Sequence, residues 1–174
     1  RDSTYTEEAL KPLAELRETL FKEMKGRIKE DDSSVPSPDG PFAYYTRFVE
    51  GAQHPLFCRR ARKAEDGEQI VLDANKEAEG EAYFRIGDVD HAPTHKLAAW
   101  SADRKGSEYF TVHLRDLETG TDLADEVPDT SPGIAWDAEG KSFLYTQVDD
   151  EHRPLKVFRH VVGTPTAEDA RVYA

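Results

Sequence analysis

Basic residues are scarce in this sequence. Its 174 residues hold 23 Lys and Arg against 35 Asp and Glu, a formal net charge of −12. A nucleic-acid partner needs clustered Lys and Arg to neutralise phosphates, so that class is excluded, and an anionic membrane surface with it. Cysteine is nearly absent: the single Cys58 can form no internal disulfide, which fits a reducing, cytoplasmic setting. No window approaches the roughly 20 apolar residues of a membrane span. The opening RDSTYTEEAL is no secretory signal. It begins without Met, as expected of a chain processed or cut from something longer. The G-x-S-x-G nucleophile elbow is missing too, and only Ser107 directly follows a glycine, in a turn that enters a strand.

What is present supports a folded domain. Hydrophobic residues make up 37% and charged residues 33%, the latter above the usual quarter or so, so a core is affordable under a heavily solvated surface. From about Thr6 to Lys29, Leu10, Leu13, Leu16, Leu20, Met24 and Ile28 recur at spacings of three and four. That spacing predicts one helix with an apolar stripe. Thr4 and Glu7 offer a capping box, Pro12 a first-turn position or a kink, and Gly26 a loosened last turn. The run EDDSSVPSPDG, Glu30 to Gly40, then ends the helix.

Beyond it the period changes to two. Phe42 to Leu72 reads as an antiparallel meander with a turn at Glu65-Asp66-Gly67. AEGEAYFRIGDVDHAPTHK carries little regular signal; LAAWSA, SEYFTVHLRDLETG, GIAWDA, KSFLYTQVD and LKVFRHVVG read as strands. Two of these stretches nearly repeat. Trp100 and Trp136 each precede an acidic turn closed by glycine, Gly106 and Gly140, and then a strand; a fainter copy starts at Ser37-Pro38-Asp39-Gly40. Short strands recurring about every 40 residues are the signature of propeller blades, with the aromatic residues as filler between them. Periodicity alone leaves an ordinary meander or sandwich equally open.

Longer words decide between them. FKEMKGRIKEDDSSVP, YYTRFVEG and PLFCRRA, followed in order by VLDANKEAEG, LAAWSAD, VHLRDLETG and VFRHVVGT, cover nearly the whole chain. They resemble the start of the oligopeptidase B (protease II) branch of the prolyl oligopeptidase family. The resemblance implies a mainly β fold: an N-terminal α-helix and linker over residues 1–34, then the first blades of an incomplete seven-bladed β-propeller over 35–174, about two blades and the start of another. It implies a parent serine peptidase that cleaves short peptides after Lys or Arg. Its Ser-Asp-His triad would sit in a C-terminal α/β-hydrolase domain, the chief partner, against which the N-terminal helix packs, while the propeller limits entry. None of that machinery maps onto a residue here, so the chain alone is expected to be inactive. Two alternatives stay open: the branch that cleaves after proline, and a stand-alone β-propeller-like binding module. The ending GTPTAEDARVYA, read as an unfinished inter-strand loop, favours a fragment. Its uncovered blade face is expected either to self-associate or to be covered by the repacked helix.

No cofactor and no metal site is expected. His91 and His95 are four apart, a zinc spacing on a helix, but Pro93 lies between them and no third ligand is evident. His113 and His160 fall in strands and read as blade-surface residues; His54 reads as a turn. His152 lies in the acidic loop Asp149-Asp150-Glu151, which lacks EF-hand spacing and reads as solvated. Cys58 reads as a small buried thiol. Asp31 and Asp32, where the helix hands over to the first strand, are the candidate interdomain contacts, pairing with basic groups outside this chain.

Overall fold

The computed structural model describes residues 2–64 and 66–173; Arg1, Ala174 and Glu65 of the expected turn lie outside the described residues. The helix is interrupted where Pro12 stands. Helix α1 (Asp2–Leu10) passes through a 3-10 turn, Lys11–Leu13, into α2 (Ala14–Lys25), because proline has no N–H to donate and its ring crowds the preceding turn. Thr4 lies inside α1, so the capping box expected there does not form. Residues 3–29 are all exposed, including the whole apolar stripe.

Among the described residues eleven strands follow, in two antiparallel sheets. The first has the order β1 (Ser37–Asp39), β2 (Phe42–Arg47), β3 (Leu56–Ala61), β4 (Gln69–Asp73), so the meander is as the period predicted, with β1 added to it. A short helix α3 (Ala74–Glu77) follows, its N-terminal N–H groups capped by the Asp73 carboxylate. The second sheet runs β5 (Arg85–His91), β6 (Leu97–Asp103), β7 (Phe110–Asp116), β8 (Asp122–Trp136), β9 (Ser142–Val148), β10 (Pro154–Val161), β11 (Ala170–Tyr173). Three departures from the sequence reading stand out. β5 lies in the stretch with little regular signal. The first half of β8 precedes the strand read at GIAWDA and pairs with β7. β11 lies in the ending read as a loop, and Arg171 and Ala170 pair with Phe158 and Arg159 of β10.

Strand β8 serves two groups of strands. Its first half pairs with β7, Val112 opposite Val127; its last residues pair with β9, Trp136 opposite Phe143; the register breaks between Thr130 and Ile134. The strands therefore group in fours: β1–β4, then β5–β7 with the start of β8, then its end with β9–β11.

Strand β6 shows how these groups stack. Ala98 to Asp103 are all buried, so both faces of the strand are covered. Ala98 packs with Val71 and Leu117, and Trp100 with Leu72 and Ala102. Ala99, on the alternate face, joins Val112, Leu114, Val127, Phe143 and Tyr145. A strand buried on both sides has no solvated face to mark with polar residues, and its small side chains admit the larger ones of its neighbours. Trp100 fills the first interface; Trp136 packs against the second. An ion pair and a hydrogen bond lock the first interface at its edge: Arg115 to the Glu77 carboxylate at 2.8 Å, and Arg104 donating to the Glu77 backbone carbonyl at 2.7 Å. This is the stacking of successive blades in an incomplete propeller.

The acidic turns explain the repeated phrases. Asp103 accepts N–H bonds from Lys105, Gly106 and Glu108 at 2.8–3.0 Å. Asp137 does the same for Lys141 and takes the Ser142 hydroxyl at 2.6 Å. Asp116 and Asp149 repeat the device in their own turns.

Gly87 marks the closest approach within the sheet. A Cβ there would lie 2.6 Å from Phe110, Pro132 and Ser101. Gly87→Ala is expected to lower unfolding stability by about 1–3 kcal/mol, read from urea midpoints. Gly133→Ala, which meets nothing within 4 Å, should leave the midpoint nearly unchanged.

Candidate functional site

The densest group of chemically capable side chains lies where the first sheet meets the second. Asp39 ends β1, Tyr44 lies in β2, His91 ends β5, and His95 lies in the following turn. His91 Nε2 is 2.8 Å from Asp39 Oδ2, and Tyr44 Oη is 2.9 Å from His95 Nδ1. The Tyr44 and His91 rings stack at 3.7 Å between centroids, and His91 and His95 lie 5.3 Å apart. Arg59, only 4% exposed, donates to the His95 carbonyl at 2.5 Å and covers the Phe42 ring at 4.1 Å. The local backbone is special on both sides: His95 has φ 58° and Gly40 has φ 52°. A Cβ at Gly40 would collide with His95 Nε2, so only glycine lets the ring sit there. The Asp39–His91 hydrogen bond holds the Asp39 carboxyl below its ordinary value, and burial with the nearby His91 lowers His95. A cleft of about 270 Å³ opens beside the cluster, lined by Val35, Tyr44, Tyr45, Cys58 and His91 among others.

The remaining candidates are structural. His160 is fully buried, contrary to the surface position expected of it. Its Nδ1 is 2.9 Å from Asp169 and its Nε2 3.1 Å from Asp125. Asp125 also accepts the Gly163 N–H, and Asp169 the Tyr145 hydroxyl at 2.9 Å. The two aspartates come from β8 and from the last loop, so no sequence spacing announces this clamp. His113 stacks on Trp100 at 4.5 Å, and burial lowers its pKa. In the acidic loop, Arg153 pairs with Asp149 at 2.8 Å and Glu151 at 3.0 Å, while His152 reaches the Ser107 carbonyl. Ser107 thus sits in a bend before β7, with no elbow geometry. Asp31 and Asp32 are exposed. Phe48 donates to the Asp32 carbonyl at 2.8 Å and Ser33 to its carboxylate at 3.0 Å, which ties this segment to the end of β2.

The sequence profile described as prolyl oligopeptidase, N-terminal beta-propeller domain, matches residues 1–174. The chain belongs to the prolyl oligopeptidase family. Among curated relatives it is 35% identical to dipeptidyl aminopeptidase BI of Pseudoxanthomonas mexicana and 30% identical to Protease 2 of Moraxella lacunata. Each match takes in 99% of this chain and 26% of the relative. Among solved structures it superposes on oligopeptidase B from Leishmania major with a TM-score of 0.93 at 34% identity, over 98% of this chain and 24% of that one. Oligopeptidase B from Trypanosoma brucei, in a closed form with covalently bound antipain, gives 0.91 at 35%, over 99% and 24%. The chain spans about a quarter of the length of the relatives it matches.

Within this oligopeptidase B-like segment Cys58 is 1% exposed, and burial pushes its thiol up to about 12, which leaves it inert at neutral pH. Nearby, Arg47 donates to Glu68 through Nε at 2.9 Å and Nη2 at 2.6 Å, and Tyr45 adds its hydroxyl at 2.7 Å. Chiefly through Arg47, Glu68 is held at about 2 against an ordinary 4.5. A depressed carboxyl stabilises the fold above its unfolded value and loses that contribution as pH falls through the folded one. Glu68→Gln is therefore expected to flatten part of the decline in thermal stability between about pH 4.5 and 2. The group is a third exposed, so the effect is small. His160→Ala leaves two buried carboxylates facing each other; it is expected to cost about 3–5 kcal/mol, measured by denaturant unfolding at pH 7.

Proposed function

We propose that this chain is the propeller part of a cytoplasmic serine oligopeptidase that cleaves short peptides after Lys or Arg. The Ser-Asp-His triad belongs to a C-terminal α/β-hydrolase domain outside these residues, and the propeller restricts what reaches it. The observation that carries the reading is the match to oligopeptidase B along essentially the whole chain at 34–35% identity. The acidic surface suits it, since a field of one sign draws oppositely charged peptides.

The same reading assigns the exposed helix. Leu16, Leu20, Phe21, Met24 and Ile28 are 46–67% exposed on one stripe, an apolar face with no cover of its own. It packs on the hydrolase domain, and Asp31 and Asp32 pair with basic groups there; without that domain the chain associates with itself. A second reading rests on the 35% identity to a protein named dipeptidyl aminopeptidase: removal of dipeptides from free N-termini.

Reporter peptides separate these. The full-length protein is expected to release a fluorophore from N-blocked substrates ending in Arg or Lys; release only from free dipeptidyl substrates selects the second reading, and release after proline overturns both. Replacing Asp31 and Asp32 with Ala is expected to alter kcat/KM or the unfolding midpoint. Unchanged values for both would remove their interdomain role. This segment alone is expected to hydrolyse nothing.

A further inference from the structure

We propose that Asp39, His91 and His95 form a binding site for a divalent transition-metal ion of the zinc class, which clamps the first sheet to the second. Among the described residues this is the one place where three ligand-type side chains converge, with their ligand atoms all within 4.8 Å of one another. Two imidazoles and a carboxylate are a donor set that zinc takes, with water in the fourth position. A tetrahedral ion sits about 2.0–2.2 Å from each ligand, which places ligand atoms roughly 3.3 Å apart. Binding therefore requires side-chain rotations that draw the ligand atoms inward from their present spacing. His91 is one-fifth exposed and Asp39 three-fifths, so an ion has a path in from solvent.

The surroundings orient the ligands. Tyr44 Oη contacts Nδ1 of His95. In the tautomer that carries its proton on Nδ1, the tyrosine oxygen accepts that proton's hydrogen bond and the Nε2 lone pair is free to bind metal. A partner on the remote ring nitrogen is the usual companion of a metal-binding histidine. The Tyr44 ring stacked on His91 fixes the second imidazole. Gly40 leaves room for His95 Nε2, and His95 itself adopts a left-handed conformation, which is uncommon outside glycine and clusters at ligand clamps. Arg59, a cation that reaches this cluster, donates to the His95 and Leu117 carbonyls and to Gln69, and its Nη1 lies 3.5 Å from Tyr44 Oη, which leaves that oxygen an acceptor toward His95 Nδ1–H. The ligands come from β1 and from the end of β5 with its turn, so binding adds a cross-link between two sheets that share no backbone ladder and are joined otherwise by side-chain hydrogen bonds.

The test uses the full-length protein after chelator treatment, titrated with CoCl₂ and then with ZnCl₂ in competition. A tetrahedral Co²⁺ site gives visible absorption that zinc abolishes. Asp39→Asn and His91→Gln are each expected to weaken binding at least tenfold, and Tyr44→Phe about tenfold through the lost hydrogen bond. Hydrogen exchange of the β1 and β5 amides should slow on adding Zn²⁺ to the wild type and not to Asp39→Asn. If wild type and both ligand variants take up cobalt alike, or none takes it up, the site does not exist. These readouts do not involve peptidase activity, so they stand or fall apart from the proposed function.

Discussion

Antiparallel strands this short depend on reversals that close without leaving backbone N–H groups bare. Here the reversals are closed by aspartate. Asp103, Asp116, Asp137 and Asp149 each accept backbone N–H bonds from residues two to five positions further along the chain, and glycines at positive φ finish three of those turns. For Asp103, burial would raise the carboxyl, but the converging N–H groups outweigh it and hold it below its ordinary value. An ionised carboxylate is the strongest acceptor available for such a nest. Part of the net negative charge is therefore structural, spent inside hairpins.

With the hairpins fixed, the sheets are held to one another by their faces. β6 supplies the middle layer, alanine toward both neighbours and Trp100 into one of them. Around this apolar contact sits a polar seam: Arg59, Gln69 and Tyr44 from the first sheet meet His95 and the Leu117 carbonyl from the second. The His160 clamp plays the same part further along, joining β8, β10 and the loop before β11. Buried polar groups of this kind are stabilising only when every partner is present, which suits a ring whose blades must keep one spacing.

The fold was legible because its cues are local. The change of period after Gly40, the meander from Phe42 to Leu72 and the two tryptophan phrases all reflect neighbours in sequence. What escaped were elements whose partners lie elsewhere. β5 carries Gly87 and alternating acids, poor strand formers, and is ordered by pairing with β6. β11 exists because β10 offers it an edge. The first half of β8, with two prolines nearby, is carried in the same way by β7.

The sequence by itself determined the family, the change from helix to strands, and the absence of a nucleophile elbow from these residues, since each is written in contiguous words. The default expectation of a small buried thiol at Cys58 agrees with its burial in the structure. Tertiary structure alone decided that His160 is buried between two aspartates, and that Asp39 stands beside His91. Those partners lie 35 and 9 residues from His160, and 52 from His91. Contact across such separations is set by how one sheet twists and stacks on the next, and no spacing along the chain encodes that.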